Sequence, residues 1–136
     1  MSEATKTHPI GTKIRTRTAD VWMEADGIVR FKSLPNSVHK LEDAVENVRA
    51  GAIASNGVCV PCLVDLRIVH SMAREARMYY AGEETAKWES AAALIISSGA
   101  GRMLGNFFMG LNKPLFPTKL FTDENEALNW LKGLRK

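Results

Sequence analysis

Four basic side chains crowd one short stretch of this chain: Arg67, His70, Arg74 and Arg77. A guanidinium presents a planar fork of donors that matches carboxylate or phosphate oxygens. Arg74 and Arg77, three apart, would share one face of a helix. The stretch follows the most hydrophobic segment, Val58 to Leu66, and open α/β sheets bind ligands outside the carboxyl ends of their strands. An anionic small molecule or a lipid headgroup is the guest this chemistry suits. The competing reading pairs the same cations with Glu75, Glu83 and Glu84 on a solvated surface. Gly99 and Gly101, at an expected strand-to-helix turn, offer backbone amides to the same class of anion. No Gly-Lys-Ser/Thr follows them, and Leu104 stands where a dinucleotide fingerprint needs its third glycine. A tight turn with Gly105 packed close to the sheet is the simpler explanation.

Signals for catalysis are weaker. Cys59-Val60-Pro61-Cys62 has redox spacing, but it enters a strand instead of opening a helix, where a thiolate would be stabilised. Alternation would send the two thiols to opposite faces, so buried free cysteines are the favoured reading over a redox pair. A metal would need further ligands, and no other cysteine exists. His8 falls in the N-terminal tail and His39 on an expected exposed helix face, which leaves His70 as the one histidine placed to act. A triad of Ser71, His70 and Asp65 would need sequence neighbours to face each other, and no nucleophile elbow is present. The expectation is a protein that is not an enzyme and carries no cofactor or metal.

The elements that must position these residues follow from patterning. Apolar residues make up 46% and charged residues 24% of the 136 positions, as in ordinary globular domains. The net charge of +3 is dispersed, which argues against nucleic acid as partner. The polar N-terminus and the lack of a long apolar run lead us to expect a cytoplasmic protein with no transmembrane segment. Residues 1–12 read as a flexible tail and 13–136 as one domain. Asp26-Gly27 predicts a two-residue hairpin turn, which would set Trp22 opposite Phe31. Asn36 or Ser37 would then cap a helix bearing Val38, Leu41, Val45, Val48 and Ala52. Buried strands begin near Val58, Ala92 and Pro117, each followed by a helix, the first of these opened by Ser71. The order is ββαβαβαβα, an α/β fold with a mixed five-stranded sheet whose last three strands run parallel.

Leu63-Val64-Asp65-Leu66-Arg67, Ser71 to Arg77, Gly105-Asn106-Phe107-Phe108, and Asn112-Lys113-Pro114 through Thr122 give this order a family likeness. The chain resembles the STAS and SEC14-like (CRAL-TRIO) group, in particular anti-sigma-factor antagonists and small bacterial proteins of that fold. The resemblance implies a STAS-like domain over roughly Thr18 to Leu134, and a signalling-related binding role. The serine that is phosphorylated in the antagonists would fall near Ala73-Arg74-Glu75, where no hydroxyl stands, so the resemblance does not extend to the phospho-switch. The segment from Met103 to Phe116 is rich in Met and Phe and nearly free of charge, as the centre of a subunit interface is. Met103, Asn106, Phe107 and Met109 are thus expected to support a homodimer or higher oligomer, with a protein partner as a further expectation.

Overall fold

The computed structural model describes residues 7–97 and 114–134. Strands β1 (Ile14–Arg15), β2 (Ala19–Met23) and β3 (Val29–Ser33) form an antiparallel meander. Then come β4 (Val38–His39), helix α1 (Leu41–Ala54), β5 (Val60–Asp65), β6 (Ser71–Met72), and helices α2 (Arg74–Tyr80) and α3 (Glu83–Ala86). Strand β7 (Glu89–Ile95), strand β8 (Thr118–Phe121) and helix α4 (Glu124–Leu134) complete the described elements. The main sheet runs β1-β2-β3-β5-β7-β8, with every neighbour from β3 to β8 parallel. The three strands expected to lie side by side do so. The sheet has six strands where five were expected, and β4 and β6 add a separate two-stranded parallel ribbon.

Several local expectations are corrected. The hairpin loop has three residues, not two: Glu24 N–H donates to the Ile28 carbonyl, and Gly27 takes the left-handed conformation at φ 77°. That shifts the register by one, so Phe31 faces Val21 while Trp22 faces Arg30 on the opposite side of the sheet. Helix α1 starts at Leu41 because Asp43, in its first turn, accepts from the Lys40 N–H at 2.9 Å; neither Asn36 nor Ser37 caps it. His39 therefore lies in β4 and is buried, not on an exposed helix face. Ser71 likewise sits in β6, and Ala73 is the residue that precedes α2. At the N-terminus, His8 N–H donates to Asn56 Oδ1 at 2.6 Å and Gly11 N–H to the Met23 carbonyl at 2.7 Å, so this stretch runs along the domain.

The two faces of the sheet are covered differently. On one, Ala127 and Leu131 of α4 bury against Ile28, Leu63, Ala91, Ala93 and Ile95. On the other, α1 lays Ala50 and Ala54 over Val21, Val29 and Phe31. Gly51 belongs to this contact: a Cβ there would stand 2.6 Å from Phe31 Cζ. Leu66, Met72 and Ala76 extend the second layer toward α2.

Candidate functional site

The feature that sets the second face apart begins at Pro61. Proline has no N–H to give the ladder, so inside a sheet it falls at edges or bulges. Here the register of β5 against β7 slips next to it, Val60 pairing with Glu89 and Pro61 with Ala91, which leaves Ser90 as the extra residue. The slip reverses the facing of what precedes it. Glu89, which alternation from Ala91 would send toward α4, instead shares the face of Val60, Cys62, Ala92 and Leu94. A carboxyl is thus carried into the apolar layer beneath α1 and α2.

Glu89 lines a cavity of about 50 Å³ on that face. Phe31, Val64, Ala92, Leu94, Met72 and Phe116 supply apolar wall. A water needs roughly 10–15 Å³ of such space, so the cavity takes a group of only a few non-hydrogen atoms. Glu89 is 7% exposed, and no group among the described residues donates to its carboxyl. Burial alone pushes it up to about 8, which keeps it protonated at neutral pH.

Three other polar side chains of the wall, His39, Asn47 and Tyr80, are occupied with one another, while the Ser33 and Thr118 hydroxyls also line it. Thr16 Oγ1–H donates to Asn47 Oδ1 at 2.6 Å. Both Asn47 N–H bonds are then spent, on Thr18 Oγ1 and on the Tyr80 hydroxyl, each at 2.9 Å. With its oxygen accepting from Asn47, Tyr80 O–H is left to donate to His39 Nδ1 at 3.0 Å. That assigns the proton of the imidazole to Nε2, which meets Ser37 Oγ at 3.3 Å. Burial holds His39 down to about 4 and pushes the Tyr80 phenol up, so both are neutral. The chain Thr16–Asn47–Tyr80–His39–Ser37 is closed and uncharged. It ties the β1–β2 turn, α1, α2 and β4 together at the cavity wall.

The residues nominated from sequence lie elsewhere. Arg67 turns back on Asp65, Nε donating to Oδ1 at 3.0 Å and Nη2 to Oδ2 at 2.7 Å, with Glu124 of α4 3.8 Å away. Burial raises the Asp65 carboxyl and the Arg67 hydrogen bond lowers it, with a net fall. Arg77 donates through Nη1 to the Met72 carbonyl, and its neighbour on α2, Arg74, is exposed, as is His70. The structure therefore groups Arg74 and Arg77 on α2 and engages Arg67 with the acidic groups of the α4 side. Gly99 and Gly101, and the interface candidates Met103, Asn106, Phe107 and Met109, lie outside the described residues.

Cys62 is buried, its thiol donating to the Val60 carbonyl at 3.5 Å, while Cys59 is exposed. Burial raises both thiols, which keeps them protonated. Among the described residues no three His, Cys, Asp or Glu gather to hold a metal ion, and no helix is long and apolar enough to cross a membrane.

Patterning had pointed past Glu89, His39, Asn47 and Tyr80. One of them leaves a readable trace: Asn47 lies on the stripe of Ala44, Val48 and Gly51, a polar residue at a core position of α1.

The arrangement of elements has a counterpart among solved structures. An uncharacterized protein from the DUF3478 family with a SpoIIAA-like fold, from Shewanella loihica PV-4, is similar to this chain with a TM-score of 0.51 and 21% identity. The alignment covers 96% of this chain and 98% of that one. Likeness at this identity concerns the fold, and it agrees with the STAS-like, antagonist-type architecture; nothing in it speaks for the SEC14 group. Among curated proteins no match is found. A family model described as a domain of unknown function, DUF7793, matches residues 21–135, and the chain belongs to that family.

Proposed function

We propose that this STAS-like domain is a non-catalytic binding protein, holding a small, mostly apolar molecule in the cavity beneath α1 and α2. One observation carries the reading: Glu89, in an otherwise apolar wall, has its hydrogen-bonding capacity unspent among the described residues, whereas His39, Asn47 and Tyr80 have spent theirs on each other. A buried polar group without a partner costs free energy on the order of 1–3 kcal/mol, and a ligand that satisfied it would recover that cost. The same saturation engages His39 and Tyr80, the residues of the wall best suited to move a proton, which supports binding over chemistry. An anion does not suit this cavity, whose unpaired ionisable group among the described residues is acidic. A phosphate or lipid headgroup would belong to Arg74 and Arg77 on α2 instead.

The test is thermal. Short-chain alcohols, ketones and amides in excess over their dissociation constants should raise the melting temperature by mass action. Ala92→Leu, which places a larger side chain against the same wall, should abolish the rise. A panel in which no probe shifts the melting of the unaltered protein would defeat the proposal.

A further inference from the structure

Building on the cavity reading, we infer that the ligand is an uncharged molecule bearing a hydrogen-bond acceptor, a carbonyl, ether or hydroxyl oxygen, and that the Glu89 carboxyl O–H donates to it. The argument compares the carboxyl groups of this one chain. Asp43 receives two donors from Arg17 and the Lys40 N–H. Asp26 receives Arg30 and the Ile28 N–H, and Asp65 receives Arg67 through both side chain and backbone. Each is supplied with the donors that a carboxylate needs, and each is held below the usual carboxylate range. Glu89 is buried, as Asp43 is, yet receives none among the described residues. A site built to hold a negative charge would have furnished donors, as the fold does at the other three.

A protonated carboxyl, by contrast, has one O–H to give. The groups that face it leave that proton unclaimed. Tyr80 of α2 accepts from Asn47, and the Cys59 and Cys62 thiols beside β5 are themselves protonated. His39 of β4 is neutral. Glu84 of α3 and Lys87, just past its end, pair with each other at the surface. From β8, Thr118 shares the register of Ala92 and donates to the Phe116 carbonyl, while Lys119 lies one residue on, over the Phe121 ring. No cation reaches the cavity wall among the described residues. Carboxylate ligands would meet Glu89 without a counter-ion. An ammonium ligand would have to ionise Glu89 in a wall with no second charge to share the cost of desolvation.

Three probes of like size separate these chemistries: cyclopentanone, butyrate and butylammonium, titrated by ligand-observed NMR at about pH 6 and about pH 9.5, on either side of the carboxyl's midpoint. Cyclopentanone should bind at the lower pH and lose roughly tenfold or more in affinity at the higher one, as the donor ionises. Glu89→Gln, which keeps an N–H donor and cannot titrate, should bind the ketone equally at both. Ketone affinity that is flat with pH in the unaltered protein, or butylammonium binding tighter than the ketone, would overturn the donor role and leave the cavity reading standing. Failure of all three probes against both proteins at both pH values would bring down the cavity reading itself.

Discussion

The two faces of the sheet are built from the same strands and do opposite things with what they bury. Toward α4 the strands offer Leu63, Ala91, Ala93 and Ile95, and the helix answers with Ala127 and Leu131, a hydrocarbon layer whose named core members are all apolar. Toward α1 and α2 the layer also encloses Thr16, Thr18, Ser33, His39, Asn47 and Glu89. The core of the first face is held by apolar packing, with the Arg67 ion pairs at its margin. The second gives up part of that packing to hold a hydrogen-bonded chain, a cavity and one unsatisfied carboxyl. Buried polar groups are retained at some cost to stability, and where they cluster beside open space the gain lies in what the space admits. The contrast teaches that the two faces are built to different ends, and the proposed binding role falls to the polar one.

Substitutions on the packed face should cost most. Leu131 is fully buried, so Leu131→Ala should destabilise by about 2–5 kcal/mol in urea unfolding without altering ligand binding on the far face. A loss well under 1 kcal/mol would mean that α4 is a loosely held element and that the contrast is false.

Next in size is the pH response of the other face. Glu89 titrates near 8 when folded against an ordinary value of 4.5, so the native state keeps a proton that the unfolded chain releases. Its contribution is intact below about pH 4.5 and declines as pH rises to about 8, where it levels off. His39 does the reverse, since burial lowers it from 6.5 to about 4; it adds stability as pH climbs through that window. The two oppose each other below about 6.5; from there to about 8 the fall due to Glu89 dominates, before the raised Cys59 and Cys62 thiols add to it nearer pH 9. Unfolding free energies measured from pH 6.5 to 8 should therefore drop by about 2 kcal/mol, and Glu89→Gln should remove that drop. Equal slopes in both proteins would show that Glu89 is not the group responsible.

A smaller effect is expected at Asn47. Asn47→Ala strips partners from Thr16, Thr18 and Tyr80 together, at a cost of about 1–3 kcal/mol. It should also free the Tyr80 hydroxyl, so that the pH dependence of ligand binding changes while the α4 face is untouched. Additivity of Asn47→Ala with Leu131→Ala would sharpen the claim that the faces are independent.

Much of the fold was legible in the residues. The strands from Val58 and Ala92 announce themselves because a parallel strand buried on both faces is largely apolar, whereas the strand after Pro117, at the sheet edge with Thr118 and Lys119, is marked by the helix that follows it. The hairpin was legible in place but not in register, since Asp26-Gly27 serves two-residue and three-residue loops alike, and one residue of difference exchanges the faces of Trp22 and its neighbours. The candidate site was far less legible. His39 follows Val38 at a spacing that mimics the stripe of α1, and only its pairing with Met72, a contact between residues distant in sequence, makes it a strand. Glu89 looks like a solvated residue ahead of a strand, until a bulge beside Pro61 turns it inward. Local patterning carries periodicity; it does not carry a register slip. The basic cluster was legible as a composition and told less about geometry, because Arg67 finds its partners on the α4 side.

The most direct trial of this account is an NMR pH titration of the Glu89 side-chain carboxyl carbon in the folded, ligand-free protein. Placed by the bulge into the apolar cavity, Glu89 should titrate with a midpoint near 8. A midpoint near the ordinary 4.5 would mean that the carboxyl is solvated or paired, and neither the cavity nor its uncharged ligand would survive that result.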